Sequence, residues 1–295
     1  MITVKDVFNL ARVPEGDVGI EIEMEGSNLY HNIKGWHIDN DGSLREESAE
    51  YVLKKPLSIE EVKKYLMNLY DGLNNAGAEL RPSVRTGVHV HINCGRISIT
   101  QLYNFIVLYL TLENVLVHWC GEEREGNLFC LRASDAEYIL HKLKSAVKEK
   151  MFRGMFGEDV RYASMNLAAL EKYGSLEFRS MRAVTDPEPI IQWASTLLNL
   201  RQEAEKYENP VEIIESFSMD GPLAFCKRLI QELDSRWLPS DREMHTMIME
   251  SMRNAQFVAY SVDWSLLDKD TIEIGGLEFP GIMNEDQINE PLEDY

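Results

Sequence analysis

Gly87-Val-His-Val-His-Ile-Asn93 carries two histidines spaced two residues apart in an otherwise apolar stretch. Because residues i and i+2 of a β-strand point to the same face of a sheet, this stretch predicts a strand with His89 and His91 on one face. Such a pair suggests a metal ligand or a phosphate donor, and a stacked structural pair is the alternative. A zinc site would need two further ligands, and the spacing of the other histidines does not supply them.

Two other short stretches repeat the pattern with charged residues. Glu21 and Glu23 alternate with apolar residues in one, and Glu177 and Arg179 flank Phe178 in the other. If the three strands are neighbours, all of these side chains lie on one sheet face and form one site. Paired carboxylates suit Mg²⁺ or Mn²⁺, and an arginine can clamp phosphate oxygens with two parallel hydrogen bonds. For each stretch alone, an ordinary water-facing strand is the alternative.

Four further residues extend the predicted site. Glu50 lies in a short predicted strand and would supply another carboxylate. Arg85 directly precedes the histidine strand and Arg161 begins a later one, so either could contact phosphate or a substrate carboxylate. Asn93 extends the polar face of the histidine strand by one step. For Glu50, an ordinary surface position is the alternative.

A strand pair is predicted beside the histidine strand, over residues 161–167 and 174–182, joined by a short turn. Strand alternation places Tyr162 and Asn166 on the opposite face from Arg161. Further strands are predicted over 18–25, 36–44 and 48–53, and the second of these runs into a turn at Asn40, Asp41 and Gly42. Turn chemistry is the simpler explanation for Asp39 and Asp41.

Helix signals divide the chain into regions. Ser58 and Glu61 form a predicted capping box for a helix that ends near Asn75. Other helices are predicted from Ser98 or Thr100, over 135–150, from 187 to about 207, and over 210–217, 222–235 and 240–260. We therefore predict a strand-rich catalytic region over residues 1–185, a helical region over 186–265, and an acidic tail over 266–295.

Composition narrows the classes of partner. The 295-residue chain has a formal net charge of −19, which disfavours a nucleic-acid backbone or an anionic membrane as the main partner. Its four cysteines form no CxxC pair, as expected of free thiols in a reducing compartment. The first residues lack a signal-peptide pattern, and the longest apolar run is too short to span a bilayer. These features predict a cytoplasmic protein.

The order of the motifs resembles the amidoligase family, a branch of the carboxylate–amine ligases related to glutamine synthetase and γ-glutamylcysteine ligase. The likeness covers roughly residues 17–182 and rests on GIEIEME, DGSL with EYV, GVHVHIN, and RYASMNL with GSLEFRSM, in that order. One departure is Leu53-Lys-Lys-Pro-Leu57, where many relatives resemble Ser-Pro-Pro-Leu. No P-loop or GxGxxG motif is present.

The resemblance implies an α+β fold with a curved, mainly antiparallel sheet of the glutamine synthetase catalytic type, flanking helices, and a helical C-terminal region. It implies that ATP and Mg²⁺ or Mn²⁺ bind the concave face of that sheet. The implied metal ligands are Glu21, Glu23, Glu50, His89 and Glu177. The expected catalytic residues are Arg179, His91 and Arg85, and the expected ATP contacts are Arg179, His91, Arg161 and Asn93.

These features predict an ATP-dependent carboxylate–amine ligase that forms an amide or isopeptide bond through an acyl phosphate. A phosphotransferase on the same sheet, or a non-catalytic nucleotide-binding or regulatory protein, is the alternative. The substrates would be a small-molecule or peptide carboxylate and an amine. The sequence names neither, and a separate amidotransferase or acceptor protein is a possible partner.

Overall fold

The computed structural model describes residues 2–39, 44, 47–157 and 160–267. They form a mixed helix and strand structure around an open seven-stranded antiparallel sheet. The strands are β1 (Val18–Ser27), β2 (Trp36–Asp39), β3 (Ser48–Leu53), β4 (Glu79–Leu80), β5 (Gly87–Asn93), β6 (Met165–Asn166) and β7 (Ser175–Arg182). Their order is β2-β3-β1-β5-β7-β6, and β4 pairs with the far end of β1.

The helices surround this sheet and follow it in the chain. They are α1 (Val4–Phe8), α2 (Ile59–Asn75), α3 (Ile99–Cys120), α4 (Tyr138–Lys148), α5 (Ala169–Tyr173), α6 (Glu188–Ala204), α7 (Pro210–Asp220), α8 (Pro222–Leu229) and α9 (Asp241–Tyr260). Short 3-10 turns occur at Glu122–Arg124, Ser235–Trp237 and Trp264–Leu267. Within the described ranges, none of the helices combines the length and apolar character needed to cross a membrane.

Local sequence signals located most of these elements. The strands predicted over 48–53 and 87–93 are observed with the same bounds. Ser58 and Glu61 form the predicted capping box of α2, and Ser98, rather than Thr100, caps α3. The predicted turn at Asn40, Asp41 and Gly42 and the acidic tail from residue 268 onward lie outside the described residues.

The predicted strand over 161–167 is wrong for most of its length, because only Met165 and Asn166 pair with β7. The preceding residues are irregular and meet a different segment, through a bridge between Leu131 and Ala163. The connection to β7 also contains the short helix α5 rather than a tight turn alone. The prediction that Arg161 and Tyr162 lie on opposite faces of a strand is therefore wrong, because it required a continuous strand.

The prediction that the three patterned strands are neighbours is confirmed. Strand β1 lies between β3 and β5, so that Glu21 is opposite His89 and Glu23 is opposite Glu50. Strand β5 pairs with β7, which places Glu177 opposite His91. Paired residues on neighbouring strands, and residues two apart on one strand, point to the same face of a sheet. The side chains of all these residues therefore lie on one face.

The other face of the sheet is apolar and packs on α3 and α6. Phe178 of β7 meets Phe105 and Tyr109 of α3, with ring centroids 5.5 and 4.9 Å apart. Helix α3 is buried on nearly every side because α6, α7 and α9 also pack around it. Sheet and C-terminal helices thus contribute to one continuous apolar core.

A β-bulge interrupts the pairing of β5 and β7 beside the polar face. Val90 is opposite Phe178, but Val88 is opposite Met181, so two residues of β7 oppose His89 alone. Such an extra residue changes which side chains face the core. Here it keeps Arg179 beside His89 while Met181 returns to the buried apolar face.

Glu113 is a fully buried carboxyl group on α3, behind the bulge. Its two oxygens accept hydrogen bonds from the Ala133 N–H at 3.2 and 3.0 Å, and one also accepts the Ser164 hydroxyl. The Ser164 carbonyl in turn accepts the Arg179 N–H at 2.9 Å. Burial raises the pKa of Glu113 to about 7, although its hydrogen bonds oppose this shift.

Glu113 should therefore make stability depend on pH. Its raised pKa means that the folded protein binds the proton more tightly than the unfolded chain does. The resulting stabilisation is complete below the unfolded pKa of 4.5 and is lost as pH rises to about 7. We expect the free energy of unfolding to fall, relative to that of Glu113→Gln, by up to about 1.4 kcal/mol per pH unit across this range. Urea unfolding of both proteins measures this difference, and parallel pH profiles would contradict it.

Candidate active site

The polar face of the sheet carries a buried cluster of ionisable side chains. Its members come from four adjacent strands: Glu21 and Glu23 from β1, Glu50 from β3, His89 and His91 from β5, and Glu177 and Arg179 from β7. Glu23, His89, Glu177 and Arg179 are almost completely buried. Burial of so many charged groups is costly unless they neutralise one another or bind ions.

His89 lies at the centre of this cluster. Its Nδ1 is 3.4 Å from Glu21 Oε2 and 3.6 Å from Glu177 Oε1, and its Nε2 is 3.7 Å from Glu23 Oε1. The Arg179 guanidinium lies 3.4 Å from the same Nδ1 and donates a hydrogen bond to Glu177. One imidazole is therefore surrounded by three carboxylates and one guanidinium.

His91 presents a buried nitrogen to the same carboxylates. Its Nδ1 is 3.1 Å from Ser175 Oγ, and its ring packs edge-on against Tyr173. Its Nε2 lies 3.4 Å from Glu21 Oε1 but has no hydrogen-bond partner among the described residues. A buried polar atom without a hydrogen bond needs an explanation, and a bound ion is one that fits.

The charges of the cluster shift one another's pKa values. Burial alone would raise the pKa of Glu21, but contacts with His89 and His91 lower it below the usual range. Glu177 shows the same balance, with burial opposed by the two histidines and Arg179, and its pKa is also lowered. Burial opposes protonation of His91, yet Glu21 and Glu177 raise its pKa. Both carboxylates therefore remain ionised and attract cations.

Glu23 is held in place from the neighbouring strand. Its Oε2 accepts the Gly87 N–H at 2.8 Å. A Cβ at Gly87 would lie 3.3 Å from both Glu23 Oε2 and Arg124 Nη2, so the glycine allows this close approach. Asn166 similarly orients Glu177, donating from its side-chain amide to Oε2 at 2.6 Å.

Arg124 is a site residue that the sequence did not predict. Its guanidinium is buried and donates to the carbonyls of Arg179, at 2.7 Å, and Ser180, at 3.1 Å. It therefore fixes the bulged part of β7 that carries Arg179. In the sequence, Arg124 follows Gly121-Glu-Glu and resembles an ordinary surface charge. No local pattern signals its long-range contacts.

Two groups of side chains in the described part of the chain could hold a metal ion. One is Glu21, Glu50 and His89, and the other is Glu21, His91 and Glu177; within each group the candidate ligand atoms lie within 4.8 Å of one another. Glu21 belongs to both groups. Carboxylate-rich sets of this kind fit Mg²⁺ or Mn²⁺. Glu23 belongs to neither group, whereas His91, expected to contact phosphate, belongs to one.

Two chambers open from this face, and Glu21 lines both. We call the first the lysine chamber; it has a volume of about 410 Å³ and a mostly apolar lining. Its charged lining residues are Arg12, Asp17, Glu21, Lys54, Lys55 and Lys172, and its other lining residues include Ile20, Leu53, His91, Asn93 and Tyr173. Lys54 and Lys55 are the residues at which the sequence departs from the family pattern.

We call the second the arginine chamber; it has a volume of about 320 Å³ and is strongly polar. It is lined by Glu21, Glu23, Asp39, Glu50, Arg85, His89, Arg124, Phe129, Arg161, Tyr162 and Arg179. Asp39, attributed to turn chemistry from the sequence, lies in β2 opposite Glu50.

The four residues expected to contact ATP are divided between the chambers. His91 and Asn93 line the lysine chamber, and Arg161 and Arg179 line the arginine chamber. The Asn93 amide donates to the Pro14 and Gly16 carbonyls, both at 3.0 Å, and thereby anchors the segment before β1. Its position fits a supporting role as well as the expected contact.

A family model described as "Putative amidoligase enzyme" matches residues 32–201, more than half of the 295-residue chain. The match confirms the resemblance inferred from the motif order. No curated protein matches the chain. The matched range contains β3, β5 and β7 but begins after β1, so strand pairing, rather than the match, connects Glu21 and Glu23 to the site.

The shared position of Glu21 predicts the pattern of metal binding. We expect Mn²⁺ titration, followed by electron paramagnetic resonance, to detect two ions per chain. Glu21→Gln should weaken both, whereas Glu50→Gln and Glu177→Gln should each weaken one. Each loss of Mn²⁺ affinity should be at least ~10-fold, which is the loss caused by removing an outer-sphere partner. Glu25→Gln, on the same strand but outside both groups, is the matched control. Weaker binding of only one ion in Glu21→Gln would contradict the prediction that Glu21 contributes to both metal sites.

Proposed function

The chain belongs to the amidoligase family, and on that premise we propose that it is an ATP-dependent carboxylate–amine ligase. The observation that carries the proposal is the meeting of three patterned strands at one site. There, two carboxylate–histidine groups sharing Glu21 adjoin a buried arginine, Arg179. We extend the proposal to the fold, whose antiparallel sheet would be of the glutamine synthetase catalytic type.

The proposed reaction has two steps. A carboxylate in water does not react with an amine, so an oxygen of the carboxylate first attacks the γ-phosphorus of ATP, giving an acyl phosphate and ADP. The amine then attacks the acyl carbon, the bond from carbon to the phosphate oxygen breaks, and inorganic phosphate leaves as the amine loses a proton. Phosphoryl transfer of this kind requires mainly positioning and neutralisation of charge from the protein.

In this proposal the site holds two Mg²⁺ or Mn²⁺ ions. One would be held by Glu21, Glu50 and His89, and the other by Glu21, His91 and Glu177. When bound, these ions neutralise phosphate charge and orient the reacting oxygens. The site fits them because contacts with neighbouring side chains lower the pKa values of Glu21 and Glu177, and because His91 Nε2 has no hydrogen-bond partner in the described structure.

Arg179 is suited to contact the transferred phosphoryl group. Its Nη1 bonds Glu177 and its Nε lies 3.4 Å from the Phe129 carbonyl, which fixes the plane of the guanidinium. Its own carbonyl is held by Arg124. An arginine whose orientation is fixed before the reaction stabilises developing charge without reorganisation.

The two chambers suggest a division of substrates. The lysine chamber offers apolar lining for a base and basic side chains for phosphates, so we assign the nucleotide to it. The arginine chamber, on the other side of Glu21, would receive the acyl substrate. The γ-phosphoryl group would then lie between the chambers, within reach of His89, His91 and Arg179.

Arg179 provides the direct test of this proposal. We expect Arg179→Ala to lower ADP formation by about 10³-fold or more, because arginines aimed at a transferring phosphoryl group contribute this much. Arg179→Lys should recover little, since it keeps the charge but loses the planar fork. The assay contains ATP, Mg²⁺, a pool of amino acids and peptides, and hydroxylamine as the amine. Mass spectrometry then identifies hydroxamates.

Arg242→Ala is the matched control, because Arg242 is an exposed arginine on α9 that lines neither chamber. Thermal melting and Mn²⁺ binding of each variant report whether the fold and metal groups survive. Full activity in folded Arg179→Ala would contradict the proposal. Release of ADP with a phosphorylated product and no hydroxamate would instead identify a phosphotransferase.

A further inference from the structure

Exposed apolar side chains border the arginine chamber. Val84, Leu128, Phe129 and Tyr162 are 62%, 74%, 37% and 45% exposed, respectively. We call these four residues the apolar lip. They come from three segments that are distant in sequence, and Phe129 and Tyr162 also line the chamber itself. Clustered exposed apolar residues, unlike scattered ones, often mark an interaction site.

Hydrogen bonds hold the three segments of the lip together. The Asn127 side chain donates to the Val84 carbonyl at 3.1 Å and accepts the Phe129 N–H at 2.9 Å. The rings of Phe129 and Tyr162 pack edge to face, with centroids 6.1 Å apart. The Leu131 N–H donates to the Tyr162 carbonyl at 2.8 Å. These contacts hold the three segments of the lip next to one another beside the chamber.

Charge is segregated within the arginine chamber. The acidic side chains come from β1, β2 and β3, whereas the guanidinium groups come from β7 and the segments on the side of the lip. Arg161 follows this division, since its guanidinium lies 5.9 Å from the centroid of the Tyr162 ring. A ligand that crosses the lip therefore meets positive charge, which favours an anionic end group.

The size of the chamber limits what it can enclose. Its volume of about 320 Å³ is at the lower end of the ~300–1,000 Å³ typical of small-molecule sites. A small acid would be enclosed and would leave the lip without a partner. A longer ligand would place its charged end in the chamber and extend across Leu128 and Val84.

From this arrangement we propose that the acyl substrate is a peptide, whose terminal carboxylate enters the arginine chamber while an apolar side chain contacts the lip. This inference rests on the proposed ligase function and specifies its substrate class. Arg85 and Arg161 of the chamber recognise the carboxylate, and the lip buries apolar surface of the preceding residues. A net charge of −19 on the chain disfavours a nucleic acid as the occupant of the same surface.

Peptide binding tests the inference without any need for turnover. The probe is the tetrapeptide Ala-Ala-Leu-Leu with a fluorescent label on its amino end, titrated with the full chain in the presence of Mg²⁺ and ADP. We expect the free acid to bind about tenfold more tightly than its carboxyl-terminal amide, because the amide loses charge-assisted hydrogen bonds. Unlabelled free leucine should compete much more weakly than the unlabelled tetrapeptide.

Variants of the lip identify the surface that is used. The double variant Val84→Ser and Leu128→Ser should weaken binding of the acid peptide by about fivefold through loss of apolar contact. Met219→Ser, which removes an exposed methionine from the distant helix α7, is the matched control and should bind normally. Because all three side chains are exposed, the melting temperatures should remain unchanged.

The outcomes separate this inference from the proposed function. Equal binding of acid and amide, equal competition by free leucine, or an unaffected lip variant would overturn the peptide assignment. Hydroxamates formed from free amino acids in such a result would leave the ligase proposal standing. Conversely, lip-dependent binding of the acid peptide without any ADP formation would support the surface and contradict the ligase proposal.

Discussion

The structure depends on the neutralisation of charge on one face of its sheet. Glu23, Glu177 and His89 are buried where an apolar sheet face would normally be expected, and isolated buried charges would be prohibitively costly. Ionisable side chains from three strands, β1, β5 and β7, meet within hydrogen-bond or ion-pair distance and make this burial tolerable. Register is consequently constrained, because a slip of one residue would direct these charges into the apolar core.

Support for the polar face comes from structure behind and beside it. The bulge in β7 keeps Arg179 next to His89, and Arg124 holds the bulge through two carbonyl groups. Ser164 accepts the Arg179 N–H from the other side and connects it to Glu113 in the helical layer. The position of the arginine is thus determined by contacts that span much of the chain.

Local patterns predicted the strands and helix starts well, because strand alternation and capping depend on residues only two or three apart. This is why 87–93, 48–53 and the Ser58 cap were located correctly. The irregular segment before β6, the buried Arg124 and the division into two chambers were not predicted. Each depends on contacts between distant segments, such as the bridge from Leu131 to Ala163, for which the sequence carries no periodic signal.

The shared carboxylate of Glu21 has a thermodynamic consequence. It lines both chambers and belongs to both candidate cation groups. A ligand that draws the Glu21 side chain toward one chamber makes this side chain less available to the other. Ligand binding in one chamber is therefore not independent of binding in the other. Linkage requires the resulting coupling free energy to be reciprocal. Occupancy on one side would thereby alter affinity on the other, and a single side chain would provide cooperativity without any movement of domains.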